Sequence, residues 1–221
     1  MNLIKKSLKW FFKSYIWVFL LFFFADFISK QLIVRYQDNI TGGLNGGVDI
    51  IPHFLGINYL VNDKFMMGID LGGPLVNRIV FIVFALLASG LIIFMLIKRW
   101  DKLKTINKIC MMMVLSGAIG NTVDRIFYDT SFLRYGNVTG VVDWIDFYGI
   151  WPFNFNIADT AVVIAAIITI IVTIIEIVVE VKAEKQLEKQ QAKDNPAEKK
   201  LSKTEQEQIE LRNKDSEDRN E

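Results

Sequence analysis

The sequence predicts an integral membrane protein that is mainly α, with four transmembrane helices, a small extracytoplasmic β element and a polar C-terminal tail. Three observations carry that expectation. Apolar residues make up 52% of the 221 residues although the last forty are almost wholly polar, so the apolar content sits in residues 1–181 with every Phe and Trp. Four stretches approach the roughly 20 apolar residues needed to cross a ~30 Å hydrocarbon core. Lys and Arg gather beside alternate ends of those stretches. Composition also excludes several classes. One Cys and one His provide neither a disulfide framework nor a pair of Cys or His ligands, so no metal and no cofactor is expected. A formal charge of +1 offers no basic stripe for nucleic acid.

The first span runs from Tyr15 to Val34 and is interrupted by Asp26 and Lys30. Its length, and the lack of a small-x-small site before Asp26, mark it as a span and not a cleaved leader. The segment from 37 to 74 is expected to form the β element. Thr41–Gly47 is a Gly-rich turn, Ile50–Asn62 alternates as strands do, and Gly72-Gly73-Pro74 breaks the chain. His53, within it, reads as an interfacial residue. The second span, Leu75–Ile97, carries Arg78 in its first turn; the third is Ile106–Ile126, with Cys110 as a packing residue. An outer loop over 127–156 follows, and its Trp144, Phe147, Tyr148, Trp151, Phe153 and Phe155 suit the headgroup level. The fourth span, Ile157–Val181, completes a membrane domain over residues 1–181. The tail at 182–221 has too few apolar residues to fold alone. It is expected to be helical near the membrane, then disordered, and to be a solvated segment without chemistry.

Charge sets the orientation. Lys5, Lys6, Lys9 and Lys13 precede the first span, five basic residues between Lys98 and Lys108 link the second and third, and Lys182, Lys185 and Lys189 follow the fourth. Tyr36–Pro74 contains only Lys64, and Phe127–Asn156 only Arg134. Both termini are therefore expected in the cytoplasm of a bacterial cell, with the chain multi-pass in its inner membrane.

Ionisable residues inside spans cost about 2.5–3.5 kcal/mol each on insertion scales and point to function. Here they share one level: Asp26 and Lys30, then Asn121, Asp124 and Arg125, then Asn156 and Asp159 all fall at the outer end of their spans. Asp26 and Lys30, four apart, can neutralise one another, either to orient helices or to serve a site. Asn-x-x-Asp occurs at 121–124 and again at 156–159, and each amide is expected to hold the carboxylate one turn away. Ser116 and Gly120 form a small-xxx-small pair that admits a neighbouring helix. Asp143 and Asp146 lie in a half-apolar interface, which raises a carboxyl pKa. One of them facing Asp159 could share its proton, the arrangement that activates water in aspartic proteases. The residues alone do not choose among Asp143, Asp146 and Asp124. No His-Glu-x-x-His, nucleophile elbow or Gly-x-Gly-Asp pattern is present. Three readings stay open on the residues alone: a membrane aspartic peptidase, a small ion-coupled transporter, and a scaffold using its tail as a binding arm. The transporter would spread charges through the midplane, whereas only Glu176 lies inward.

Several motifs occur together in order: DFISK over Asp26–Lys30, Asn62 after IPHFLGINYLV, GAIGNTVDR over Gly117–Arg125, VVDWIDF over Val141–Phe147 and FNIAD over Phe155–Asp159. The chain resembles the bacterial lipoprotein signal peptidase (signal peptidase II) family over about residues 14–181. The resemblance implies an aspartic endopeptidase inhibited by globomycin. Its substrates would be prolipoproteins, cut just before a diacylglyceryl-modified Cys. It implies Asp143 and Asp159 as the catalytic pair, with Asp26, Lys30, Asn62, Asn121, Asp124, Arg125 and Asn156 in support. It implies no metal and no cofactor, membrane lipid around the enzyme, and a β-cradle in the first outer segment; action as a monomer is expected. The chain departs from the family where Asp63-Lys64-Phe65-Met66-Met67-Gly68 follow Asn62, and in its longer Arg125–Val141 stretch.

Overall fold

The computed structural model describes residues 3–40, 47–65, 68–127, 140–148 and 150–194, with Gln208 alone beyond them. Helix α1 spans Leu3–Lys13 and α2 spans Ile16–Arg35. Between them Tyr15 adopts the left-handed conformation at φ 57°, which a continuing helix cannot accommodate, so the chain changes direction there. Strands β1 (Val48–Ile51) and β2 (Leu55–Asn62) follow, then α3 (Pro74–Arg99), α4 (Thr105–Phe127), β3 (Val141–Asp146) and α5 (Ile157–Asp194). Pro74 opens α3 at the position where its missing N–H costs nothing. Helices α2, α4, α3 extended to Lys102, and Ile157–Gln190 of α5 are each long and apolar enough to cross a membrane.

The expected spans fall inside these helices but for Tyr15 at the start of the first. Helix α1 was not foreseen, because its four lysines read only as a charge signal. At the other end α5 continues to Asp194, thirteen residues past the expected end of the fourth span, so the tail's first part is helix. The disorder expected further along the tail lies outside the described residues. So do Thr41–Gly46 of the Gly-rich turn, Met66 and Met67, and residues 128–139 of the lengthened loop.

Helix α4 is the centre of the bundle. Half of its span is buried, against 22% or less for the others, and it packs against both α2 and α3. That placement explains why α4 tolerates Ser116, Asn121, Thr122, Asp124 and Arg125, all of which are buried. Away from the polar end, Val18, Leu96, Cys110, Met112, Met113, Ala161 and Ala165 form an apolar core. Helix α5 meets α4 closely. A Cβ on Gly117 would stand 2.5 Å from the Ala158 carbonyl oxygen, and Ala158, Ala161 and Ala165 present a buried small-residue stripe. The approach is made at Gly117 and Gly120, one residue beyond the expected Ser116 at its near end.

The three strands form one antiparallel sheet in the order β1-β2-β3. A turn at Pro52–Phe54, with His53 at φ 58°, joins the first two. Strand β3 is the finding here, since its aromatic sequence suggested only an interfacial belt. Val142 and Trp144 turn one face of β3 towards Ile33 and Val34 at the end of α2. Beyond β3 the chain hooks back, and Phe155 pairs with Ile145 before α5 begins. The chain divides into two units, Met1–Thr169 with all the features above, and Ile170–Glu221 with the remainder of α5.

Candidate active site

Strand parity separates the two aspartates of β3. Asp143 and Asp146 are three apart, so they leave the strand on opposite faces. Asp143 turns towards Asn62, its cross-strand neighbourhood being Leu60 at the same register. Asn62 Nδ2 donates to Asp143 Oδ2 at 2.9 Å, and Asn156 Nδ2 donates to Asp143 Oδ1 at 2.7 Å. Asp146 instead accepts the backbone N–H of Tyr148 at 2.9 Å. Reading VVDWID as a strand would have made this distinction from spacing alone.

Asn156 and Asp159 form a capping box at the start of α5. Asn156 Oδ1 accepts the Asp159 N–H at 2.9 Å, while Asp159 Oδ2 accepts the Asn156 N–H at 3.3 Å. A third orphan donor of this helix end, the Ala158 N–H, is taken by Asp26 Oδ1 of α2 at 2.9 Å. The capped start of α5 is thus tied directly to the polar face of α2.

The amides do not hold the carboxylates expected of them. Asn121 Nδ2 reaches across to Asp159 Oδ1 at 2.7 Å, and the Asn156 amide reaches Asp143. In mid-helix an Asn three residues before an Asp has no backbone donor to share with it, so Asn121 links helices; only at 156–159, a helix start, does the motif close on itself. Asn121 Oδ1 accepts from Asn156 Nδ2 at 3.1 Å and from Lys30 Nζ at 2.9 Å. Lys30 Nζ also donates to Asp26 Oδ2 at 2.6 Å and Asp124 Oδ2 at 2.5 Å. The expected Asp26–Lys30 pair is present, and Asp124 is its third member.

Eight of the nine residues singled out from sequence therefore lie in one hydrogen-bonded chain. Asn62 leads to Asp143, Asn156 and Asn121, and from there to Asp159, Lys30, Asp26 and Asp124. Arg125 stands beside it: its guanidinium donates to the Lys64 carbonyl at 2.9 Å and lies over the Phe81 ring at 4.3 Å. That contact fixes the segment following Asn62, where Lys64 N–H returns to Asn62 Oδ1 at 3.1 Å. Asn77 was missed. Fully buried one turn into α3, it accepts from Leu71 N–H at 2.7 Å and donates to Asp70 Oδ1 at 3.2 Å, pinning the loop before the helix. An amide directly after a Gly-Gly-Pro break in an apolar span was its available signal.

Asp143 is almost wholly buried, whereas Asp159 keeps partial exposure. Burial, with the Asp159 charge second, pushes the Asp143 carboxyl from 3.8 up to about 7. Among the described residues no group of three or more His, Cys, Asp and Glu is arranged to hold a metal ion.

Four spans, a small sheet at their polar end and a carboxyl raised towards neutrality beside a second carboxyl define a membrane aspartic peptidase. The profile of the family described as Signal peptidase (SPase) II matches residues 18–175. The chain belongs to the signal peptidase II family. It is 33% identical to the lipoprotein signal peptidase of Fusobacterium nucleatum subsp. nucleatum over 150 residues, 68% of this chain and 79% of that one. It is 32% identical over 165 residues to the lipoprotein signal peptidase of Borrelia garinii subsp. bavariensis, covering 71% and 86%. A solved bacterial membrane enzyme shares the fold with a TM-score of 0.57 at 24% identity, covering 73% of this chain and 87% of that one. A second gives a TM-score of 0.54 at 25% identity, covering 72% and 92%. The protein is accordingly a multi-pass membrane peptidase of bacteria.

Proposed function

We propose that Asp143 and Asp159 are the catalytic pair by which this chain releases the signal peptide of a prolipoprotein, cutting just before its lipidated Cys. The observation that carries the assignment is the pairing of a raised, buried Asp143 with a partly exposed Asp159 through Asn156 and Asn121. In this reading the pair shares one proton at neutral pH, with Asp143 taken as the acid and Asp159 as the base. Water adds to the scissile carbonyl carbon as Asp159 takes its proton, and Asp143 gives its proton to the carbonyl oxygen. The tetrahedral diol then collapses: the C–N bond breaks, Asp159 passes its proton to the leaving amine, and Asp143 recovers one from a diol hydroxyl. Asn62 and Asn156 hold Asp143 in register, while Asp26, Lys30, Asn121, Asp124 and Arg125 fix the helices around the pair.

All these groups come from one chain, which suits action as a monomer. The basic segments support a reading with both termini in the cytoplasm and the site at the outer boundary of the inner membrane. There the lipid tails of the substrate stay in the bilayer while the peptide bond meets water.

The test is prolipoprotein processing in cells depleted of their own signal peptidase II and supplied with wild type, Asp143→Asn, Asp159→Asn or Asp146→Asn. The precursor is expected to accumulate with the first two variants and to mature with the third. Processing at the wild-type rate by either of the first two, at equal membrane expression, overturns the assignment.

A further inference from the structure

A groove of about 630 Å³ lies between the last turn of α1, the start of α2, the last turns of α3 and the middle of α4. Its walls are apolar, from Phe19, Ile93, Met112 and Ile119, and its mouth carries Trp10 and Lys13. The size falls within the ~300–1,000 Å³ typical of small-molecule sites. Along α4 the lining runs from Met112 to Ile119, about 10 Å at ~1.5 Å per residue, so the groove takes roughly two-thirds of an acyl chain in a ~15 Å leaflet.

The mouth is built and charged. Lys5, Lys6, Lys9 and Lys13 fall within one ~100° arc of α1, with Ile4, Leu8 and Phe11 on the other side, the pattern of a helix lying in a membrane interface. The Tyr15 elbow that sets α1 against the groove is braced: Tyr15 Oη lies 3.2 Å from Thr105 Oγ1, its ring is 6.0 Å from that of Trp100, and Lys108 Nζ sits 4.5 Å above the same indole. Lys98 and Arg99 close α3 at this level. A signal peptide, whose leading segment is positively charged, meets repulsion here. A headgroup bearing a phosphate meets attraction.

We propose that this groove binds one anionic diacyl phospholipid, an acyl chain lying along Phe19, Ile93, Met112 and Ile119 and the phosphate beside Lys13. The site is separate from the carboxylate network and does not depend on its assignment.

The experiment is native mass spectrometry of the full chain in detergent with dioleoyl phosphatidylglycerol or dioleoyl phosphatidylcholine, which differ only in headgroup. Wild type is expected to retain phosphatidylglycerol in preference. Lys13→Gln is expected to lower that retention about fivefold, the effect of one interfacial lysine, and to leave phosphatidylcholine unchanged. Ile93→Trp, filling the groove from a partly exposed position, is expected to reduce retention of both. Equal retention of the two lipids by wild type, or an unaltered phosphatidylglycerol signal in either variant, overturns the proposal. Displacement of phosphatidylglycerol by a lysine-led apolar signal-type peptide overturns it in favour of a substrate contact.

Discussion

Replacing Asp143 by Asn removes one titrating group from the carboxylate pair while keeping the shape of its neutral form. Burial and then the Asp159 charge raise this carboxyl from 3.8 to about 7 in the folded chain. The unfolded chain releases the proton near pH 4, whereas the folded chain keeps it to near pH 7. Between those values the folded state binds more protons, so its stability declines as pH rises through that window and levels off above it. A shift of about three units at ~1.4 kcal/mol each sets an upper bound of ~4 kcal/mol on the decline. The substituted amide presents one acceptor and one donor to Asn62 and Asn156, as the protonated acid does, and has nothing to ionise. The Asp143→Asn variant should match wild type within ~1 kcal/mol at pH 4.5 and exceed it by ~2–4 kcal/mol at pH 8, while peptidase activity falls ~10²–10⁴-fold. Unfolding of the detergent-solubilised wild type and variant across pH 4.5–8 reads the difference, since the titrations of groups that do not couple to Asp143 cancel. A difference that stays flat with pH would falsify the raised Asp143 carboxyl and with it the assignment of the acid.

The other predictions concern the proton and the scaffold. The rate of prolipoprotein processing by purified enzyme should fall as pH rises through about 7, where Asp143 loses the proton that polarises the carbonyl; a rate still climbing from pH 7 to 9 contradicts the assigned role. Lys30→Met leaves Asp26 and Asp124 facing each other without their cation. It should cost ~3–5 kcal/mol, with partial recovery of folded protein on adding Asp124→Asn, as measured by thermal unfolding. Gly117→Ala puts a methyl group 2.5 Å from the Ala158 carbonyl oxygen, so α5 must shift. The expected loss is ~1–3 kcal/mol, with activity reduced because Ala158 lies beside Asp159 in the first turn of α5; an unchanged melting temperature refutes the close helix contact.

The spans were legible because lipid imposes a length and an apolar character that few other contexts demand. The buried charges were legible for the same reason, as Asp26, Lys30 and Asp124 have no other excuse inside apolar helices. Pair geometry was less so. The i, i+4 spacing gave Asp26–Lys30, but nothing local to α2 shows that Lys30 also reaches Asp124, because that contact depends on how α2 meets α4. Likewise Asn121 and Asn156 share one motif yet bond differently, since only the second stands at a helix start with free N–H groups. Strand β3 was obscured by its aromatics, which satisfy a membrane-belt reading equally well. Once its alternation is accepted, Val142 and Trp144 face α2 and Asp143 faces Asn62. Helix α1 was hidden by its lysines, and Asn77 by being a single uncharged polar residue in an apolar span, its partner Asp70 lying across the Gly-Gly-Pro break.

The arrangement of neutral amides between the charges has a chemical consequence. Asp26, Asp124, Asp143 and Asp159 outnumber Lys30 and Arg125 by two when every group is ionised. One proton held between Asp143 and Asp159 lowers that excess to one, at a place where a buried charge is costly. If Lys30 touched the pair directly, its attraction would favour ionising both carboxyls and leave no acid to polarise a carbonyl. Instead its ammonium is occupied by Asp26 and Asp124, and Asn121 stands between, taking Lys30 on Oδ1 and giving Nδ2 to Asp159. On the proposed assignment the cation orders the helices and orients the base without discharging the acid. Asn121→Asp removes the intervening donor and puts another negative charge beside Asp159. The pH at which processing declines should move upward, because each carboxyl of the pair then releases its proton less readily. A profile that moves downward, or stays in place at reduced amplitude, would show that Asn121 serves only to pack α4 against α5.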